Sequence, residues 1–210
     1  MQGWARRARG ALAGLLLCLA SAHGAADTLP VPAGAEVQEL LRTVIATRDH
    51  AGRPFAVVDK KGARLHVFDG AARLIASTPV LLGAALGDHA VPGVGARPTA
   101  TLAPHERTTP AGRFAAEPGR NLDGEHVVWF DYDAGLAIHR LRPGASYAPR
   151  SARLASGQVD DKRVSLGCVV VPEAFYDGVV RPLLGRSRGT VYVLPENGPA
   201  QAWFNALQAS

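Results

Sequence analysis

Cysteine, methionine and aromatic residues are scarce in this sequence of 210 residues, which has two Cys, one Met and 6% aromatic residues. The low aromatic content, together with 23 Gly and 15 Pro, favours a loop-rich fold with many strands over a helical bundle. Cys18 lies in a segment that we expect to be removed. Cys168 then has no intramolecular partner, and no disulfide is expected within the mature chain.

Long apolar runs are also missing, and the one apolar run near the N-terminus is too short to span a bilayer comfortably. This run follows Arg6, Arg7 and Arg9 and precedes several small residues, which is the pattern of a secretory signal peptide over residues 1–26. We expect an exported protein without a membrane span after cleavage, facing the periplasm or the cell wall. An uncleaved N-terminal anchor is the alternative.

Charge of one sign is not in large excess. The formal charge is +5, but without residues 1–26 there are 20 basic and 18 acidic residues, so the mature charge is +2. This balance gives no independent support for a nucleic-acid partner, and none is predicted.

Several motifs of cofactor and metal chemistry are absent from the sequence. It has no H-E-x-x-H, no Walker loop, no G-x-S-x-G and no G-x-G-x-x-G before a helix. We therefore predict neither a metal nor a cofactor.

The apolar periodicity predicts a mainly β fold with flanking helices. An amphipathic helix is expected over 36–49, and another helix is expected after Pro172. Strands are expected at 55–59, 64–69, 74–82, 113–117, 127–132, 136–140 and 190–194. We divide the chain into a signal peptide (1–26), a linker with the N-terminal helix (27–50), a globular domain (51–196) and a C-terminal tail (197–210), in which Trp203, Phe204 and Leu207 suggest a short docking helix.

Cys168 is the most informative residue of the mature chain. Gly167 precedes it, so no neighbouring side chain blocks a substrate, and the chain turns into a helix soon afterwards. A thiol on such a turn can be exposed beside backbone N–H groups that hold an oxyanion. The alternative is an inert, buried cysteine, and the residue alone leaves both readings open.

A cysteine nucleophile needs a base, which is usually histidine. His139 ends the apolar strand 136–140, where a side chain can leave the core and face a cleft. The other histidines after the leader are expected at surface or loop positions: His50, His66, His89, His105 and His126.

Three stretches, spread over residues 54–194, resemble the catalytic domain of the L,D-transpeptidases, bacterial cell-wall enzymes. They are the hairpin Val57–Phe68, the segment Thr109-Pro110-Ala111-Gly112-Arg113-Phe114, which resembles a T-P-x-G-x-F signature, and Ile138-His139 followed by Ser165-Leu166-Gly167-Cys168. The resemblance implies a β-rich sandwich or barrel with an active-site cleft in the 51–196 domain. It also implies that peptidoglycan stem peptides are the partner.

By position in these motifs, the resemblance implies that Cys168 is the nucleophile and His139 the base. It implies that the carbonyl of Arg140 orients the imidazole, that Gly167 and Cys168 donate backbone N–H groups to an oxyanion, and that Ser165 shapes the turn. No substrate-binding residue is assigned. The reaction implied is attack on the bond between an L-centre and the terminal D-alanine of a tetrapeptide stem, followed by transfer of the acyl group to an amine.

The sequence departs from the family pattern in three places. Leu166 stands where many members have histidine, and Val170 stands where arginine or asparagine is common. The interval from His139 to Cys168 is also longer than usual, because of a Pro- and Gly-rich stretch at 142–163. We predict that this stretch is a long loop acting as a lid, whose Arg150, Arg153, Lys162 and Arg163 meet stem-peptide carboxylates. An ordinary solvated loop is the alternative.

Two other functions stay open on the sequence. The same scaffold could serve an L,D-carboxypeptidase, which gives the acyl group to water. The departures at Leu166 and Val170 also leave room for a wall-binding pseudoenzyme. The oligomeric state is not predicted.

Overall fold

The structure is a computed structural model that describes residues 34–200 and Asn205. The predicted signal peptide and the predicted docking helix of the tail lie outside these residues. Ten strands form most of the fold: β1 (Phe55–Asp59), β2 (Arg64–Phe68), β3 (Leu74–Pro79), β4 (Leu82–Gly83), β5 (Gly112–Arg120), β6 (His126–Asp131), β7 (Leu136–Arg140), β8 (Arg163–Ser165), β9 (Val169–Val171) and β10 (Gly189–Val193).

Eight of the strands form one sheet in the order β3-β2-β1-β10-β5-β6-β7-β9, and β4 pairs with β8 in a second, two-stranded sheet. The two edges of the large sheet approach each other, because Leu81, just after β3, exchanges both backbone hydrogen bonds with Val170 of β9 (2.9 Å each). The sheet is therefore nearly closed into a barrel. The predicted mainly β class is confirmed.

The alternation of side chains along β1 shows how the layers are arranged. Ala56 and Val58 point into the barrel, whereas Phe55 and Val57 point outward. Helix α1 (Ala35–Thr47) covers the outward residues with its buried apolar stripe of Val37, Leu40 and Val44. Both faces of this central strand are thus buried, which explains its continuous apolar run.

The segment 142–163 is not the long irregular loop that we predicted. It contains helix α2 (Tyr147–Ala155) and a 3-10 turn (Asp160–Lys162). Pro149 misled the prediction, because proline is compatible with the first turn of a helix, whose N–H groups have no partner within the helix. Leu154 of α2 packs against Leu81 and Val170 on the outer wall of the barrel.

Two other predicted elements differ from those observed. The expected strand 74–82 is divided into β3 and β4, because Leu81 pairs with Val170 of β9 and Leu82 then pairs with Arg163 of β8, whereas β3 pairs with β2. The helix after Pro172 consists of three short pieces: α3 (Glu173–Phe175), a π-helical turn (Tyr176–Val180) and α4 (Arg181–Leu183).

Lys60 is completely buried and ties the chain after β10 to the barrel. Its ammonium donates to the Asp88 carboxylate (2.7 Å) and to the carbonyls of Gly87 (2.6 Å) and Thr109 (3.0 Å). Asp88 in turn accepts from the backbone N–H of Glu196 (2.7 Å). A buried charge that is paired and hydrogen-bonded in this way fixes the position of the segment around Thr109.

Within the described part of the chain, no helix has both the length and the apolar character needed to cross a bilayer.

Candidate active site

The turn between β8 and β9 presents the Cys168 thiol. Ser165 closes this turn from within, because its hydroxyl donates to the Cys168 carbonyl (2.6 Å) and accepts from the Gly167 N–H (3.1 Å). Gly167 has a φ of +123°, and a Cβ there would lie 2.7 Å from the Thr108 carbonyl oxygen. Glycine is therefore required at this position for both backbone conformation and space.

Thr109 holds the same turn from outside. Its buried hydroxyl donates to the Gly167 carbonyl (2.8 Å) and accepts from the Gly83 N–H (2.9 Å). The hydroxyl thus joins β4, the segment before β5 and the cysteine turn at one point. Lys60 holds the carbonyl of the same residue. This supporting role of the threonine in the T-P-A-G-R-F segment was missed from the sequence, where only its position in a signature was visible.

The thiol of Cys168 is half-buried, and its sulfur lies 3.8 Å from the Gly135 carbonyl oxygen. Burial raises the pKa of the Cys168 thiol. The Ala137 N–H and the positive charges of Arg142 and Arg150 act in the opposite direction. Because burial dominates, the resting group is the neutral thiol.

His139 is buried on β7, the strand next to β9. Its Nδ1 lies 2.8 Å from the Arg140 carbonyl oxygen. A carbonyl only accepts, so Nδ1 carries the hydrogen and Nε2 keeps its lone pair. Burial lowers the pKa of His139 to about 4, against the opposing effect of the Arg140 carbonyl. The imidazole is therefore neutral at pH 7, in the tautomer that a general base needs at Nε2.

The strand register brings the two groups to one side of the barrel. Ile138 pairs with Val169 and His139 pairs with Val170 in parallel register. Ile138 and Val169 point into the barrel core, so His139 lies toward the outer face of the barrel. Cys168, directly before Val169, packs against the same core cluster. Both side chains line one cavity of about 600 Å³.

The walls of this cavity come from three parts of the chain. One wall is Trp129 of β6 with Gly135 of the β6–β7 turn, another is the segment around Val94 and Arg97, and the third is α2 with Pro149 and Arg150. The middle of 142–163 therefore borders the cysteine cleft, as a lid would. Whether it opens and closes stays a prediction.

The residues at the two departures from the family pattern lie in different surroundings. Leu166 is 39% exposed and lines the cavity, so it offers an apolar surface there. Val170 is fully buried beneath α2, against Leu81, Leu141 and Leu154. A polar side chain at 170 would be covered by this helix.

The three other residues of the predicted site have different surroundings. Ser165 lines the cavity, while Gly167 lies behind the thiol with its N–H engaged by the Ser165 hydroxyl. Arg140 faces away, since its guanidinium pairs with Glu173 (2.6 Å) and lies near Glu125 (3.6 Å). Its backbone carbonyl is the part that touches His139. The predicted roles of Cys168, His139, Gly167, Arg140 and Ser165 in a reaction remain proposals.

The other histidines within residues 34–200 do not line this cavity. The expectation of surface or loop positions is wrong for two of them. His66 is fully buried in β2, with Nδ1 2.7 Å from the Ser77 hydroxyl oxygen, and His50 is buried against the Gly70 carbonyl (3.2 Å). Hydrogen-bond partners on neighbouring segments make their burial tolerable. In residues 34–200, no group of three or more His, Cys, Asp or Glu side chains is arranged to hold a metal ion.

No family model matches the sequence, and no curated protein matches it. Several solved structures do resemble the chain. The helical cell shape determining protein Pgp2 from Campylobacter jejuni is 14% identical with a TM-score of 0.46, over 70% of this chain and 49% of that one. An L,D-transpeptidase from Mycobacterium smegmatis is 18% identical with a TM-score of 0.40, over 67% and 58%.

A third similar structure is the L,D-transpeptidase (residues 123–326) from Xylanimonas cellulosilytica, at 16% identity and a TM-score of 0.40, over 67% of this chain and 60% of that one. The chain thus spans about half to three-fifths of the length of these three proteins. L,D-transpeptidases recur among the similar structures, and this is the family that the sequence motifs resemble. At these identities and TM-scores the likeness says nothing about activity.

Proposed function

We propose that the chain is an exported cysteine acyltransferase that acts on peptidoglycan stem peptides, an L,D-transpeptidase. One observation carries the proposal: Cys168, on a turn that only glycine permits, shares a cavity with His139, whose Nδ1 is tied to a backbone carbonyl. Nucleophile, oriented base and an enclosed cleft are the parts that covalent acyl transfer needs.

The pKa directions favour general-base attack over a preformed thiolate–imidazolium pair. Burial raises the thiol pKa of Cys168 and lowers the imidazole pKa of His139, so the resting pair is neutral. As Sγ bonds to the carbonyl carbon before the terminal residue, His139 Nε2 takes the thiol proton. Charge develops on the carbonyl oxygen, where we place the Cys168 N–H as a donor.

Collapse of this intermediate breaks the C–N bond. The imidazolium returns its proton to the leaving amine, the terminal amino acid departs, and the shortened stem remains as a thioester on Cys168. An acceptor amine then attacks the thioester, giving its proton to His139, and a new amide forms as the thiol is restored. Water in place of the amine gives the free acid, which is the carboxypeptidase outcome.

Incubation of the full chain with purified tetrapeptide muropeptides tests the proposal. We expect cross-linked dimers and a released terminal amino acid, both absent with Cys168→Ala. Shortened tripeptides without dimers would replace transfer by hydrolysis. If neither product forms, labelling of Cys168 with a carbapenem separates the remaining cases. An unlabelled thiol would favour the wall-binding pseudoenzyme, and a labelled one would show a competent nucleophile with a different substrate.

A further inference from the structure

Arg150 differs from the other three basic residues of the 142–163 segment, each of which is already engaged. Lys162 donates to carbonyls at the end of α2, among them that of Ser156 (2.6 Å). Arg163 pairs with Glu196. Arg153 donates to the Asp161 carbonyl (2.9 Å). These contacts hold the segment and its neighbours together, so the three cations have a structural role.

The guanidinium of Arg150 has no ion pair or hydrogen bond with any residue of 34–200. Its Nε is shielded from solvent and donates to no acceptor there. A buried N–H without an acceptor is unfavourable, and native proteins rarely leave one without a reason. A ligand acceptor that is absent from the free protein would supply the missing partner.

The fold fixes where this guanidinium lies. Arg150 is one helical turn before Leu154, so both project from the same face of α2. Leu154 packs on the outer wall of the barrel against Val170 of β9. Arg150 consequently lines the same cavity as Cys168, near enough for the two groups to interact electrostatically.

The charge of Arg150 is also uncompensated. No aspartate or glutamate is among the described residues that line the cavity. Arg142 is neutralised from outside by Glu125 (2.7 Å), and Arg97 by Glu106 (2.6 Å). Together with burial, the neighbouring Arg142 lowers the pKa of Arg150. Arg153 also lines the cavity, but it is exposed and its guanidinium donates to the Asp161 carbonyl (2.9 Å). An anion that enters this cavity therefore meets in Arg150 a partly desolvated guanidinium that has no hydrogen-bond partner within residues 34–200.

We propose that Arg150 binds the carboxylate at the C-terminus of the donor peptide, on the residue that leaves. This inference rests on the proposed function. In such a peptide the terminal carboxylate carbon is joined to the attacked carbonyl carbon through one N and one Cα, so it lies within roughly 4 Å. It must therefore lie beside Sγ however the rest of the stem runs. A guanidinium pairs with a carboxylate through two parallel N–H donors.

This contact makes Arg150 a specificity-determining residue. It selects peptides whose scissile bond is followed by a single residue with a free carboxylate. A donor whose terminal carboxylate is blocked leaves the guanidinium without an acceptor. The free-energy cost of that unsatisfied group weakens the binding of the blocked donor, and so disfavours it relative to the free acid.

The first test needs no wall substrate, because alkylating reagents report on the same cavity. The full chain is treated with iodoacetate, which carries a carboxylate, and with neutral iodoacetamide, and the rates of Cys168 modification are compared. In the wild type we expect iodoacetate to be favoured relative to a free cysteine standard. In Arg150→Gln the ratio of the two rates should fall roughly tenfold. Arg42→Gln is the control, because Arg42 is an exposed arginine on α1 that does not line the cavity, and its ratio should stay at the wild-type value.

The second test uses a tetrapeptide stem and its C-terminal carboxamide as donors. For the wild type, kcat/KM should be roughly 10–100-fold lower with the carboxamide than with the free acid. For Arg150→Gln, kcat/KM on the free acid should be lower than that of the wild type by a similar factor, and the two donors should react equally well. An Arg150→Lys variant, which keeps the charge, should recover part of the discrimination and checks that the helix is intact.

The outcomes separate the two proposals. No turnover of the free acid by the wild type, with the alkylation ratio as expected, overturns the proposed function and leaves an anion site at Arg150. Turnover that is indifferent to amidation overturns the role of Arg150 and leaves the acyltransferase standing. An Arg150→Gln variant that shifts the pH profile of iodoacetamide labelling, with unchanged reagent and donor preferences, would show that Arg150 acts on the thiol instead of the carboxylate.

Discussion

Thr109→Val tests how the fold holds its nucleophile. Valine has nearly the shape of threonine, so the substitution removes one hydroxyl and creates no cavity. That hydroxyl is completely buried and serves two buried groups, the Gly83 N–H and the Gly167 carbonyl. Both lose their partner in the variant, and space for a replacing water is lacking because the methyl group takes the place of the oxygen.

The expected loss of stability follows from these two groups. A buried donor or acceptor that is left unsatisfied costs about 1–3 kcal/mol. With two such groups, we expect Thr109→Val to lower the free energy of unfolding by about 2–6 kcal/mol. Activity should fall more than stability alone implies, because the carbonyl that loses its partner belongs to Gly167, next to the nucleophile. A displacement of the thiol by about 1 Å is enough to cost roughly 100-fold in rate.

Urea unfolding and kcat/KM on a tetrapeptide donor measure the two effects. Thr109→Ser keeps the hydroxyl and should retain most of the activity. Thr108→Val is the matched neighbour, since the Thr108 hydroxyl makes no hydrogen bond within residues 34–200, and it should shift stability by less than about 1 kcal/mol. If Thr109→Val unfolds at the wild-type urea concentration and keeps wild-type kcat/KM, the threonine does not support the turn, and the reasoning is refuted.

Two further predictions concern buried charge. His139 has a pKa of about 4 in the fold against its usual 6.5, so the unfolded chain binds its proton more readily and the stability that His139 contributes is lost as pH falls from about 6.5 to 4. We therefore expect kcat/KM to fall at low pH with a midpoint near pH 4. His139→Ala should remove this pH dependence and lower the rate roughly 10²–10⁴-fold. A midpoint near pH 6.5 would contradict the neutral, buried base. Lys60→Met should cost about 3–5 kcal/mol in thermal or urea unfolding, because it leaves the Asp88 carboxylate without its cation. Lys61→Met breaks the exposed pair with Glu36 and an exposed hydrogen bond to the Gly198 carbonyl (3.2 Å), and should cost under about 1 kcal/mol. Equal losses would mean that the Lys60 network does not hold the fold.

Local patterns in the sequence predicted much of the sheet. The hairpin of β1 and β2 was visible because apolar side chains alternate along both strands. The strand that carries His139 was visible as a short apolar run ending in polar residues. The predicted cysteine turn depended on Gly167, and the backbone there does adopt a positive φ.

Contacts between distant segments were beyond such patterns. Helix α2 was not predicted, because Pro143 before it and Pro149 in its first turn are residues typical of loops. Its packing on β9 depends on the contact between Leu154 and Val170, which lie far apart in the sequence. Likewise nothing local marks Arg150 as the unpaired member of four basic residues. Its isolation follows from the partners that the other three find in the folded chain.

Burial of polar groups was the other source of error. His66 and Lys60 look like surface residues in the sequence, because a polar side chain on a strand or turn is usually solvated. In the fold each has acquired partners from segments far along the chain, Ser77 for His66 and Asp88 for Lys60. The apolar residue at position 170 was also unexplained by the sequence, because Val170 is covered by helix α2, which was not predicted.

The central claim is that Cys168 Sγ forms a thioester with the donor peptide. Rapid mixing of the full chain with a tetrapeptide stem, acid quench and mass spectrometry of the proteolytic peptide that contains Cys168 tests it directly. We predict that this peptide gains the mass of the shortened stem while one equivalent of the terminal amino acid is released, and that Cys168→Ala shows neither event. Release of the terminal amino acid at the wild-type rate by Cys168→Ala would contradict the account.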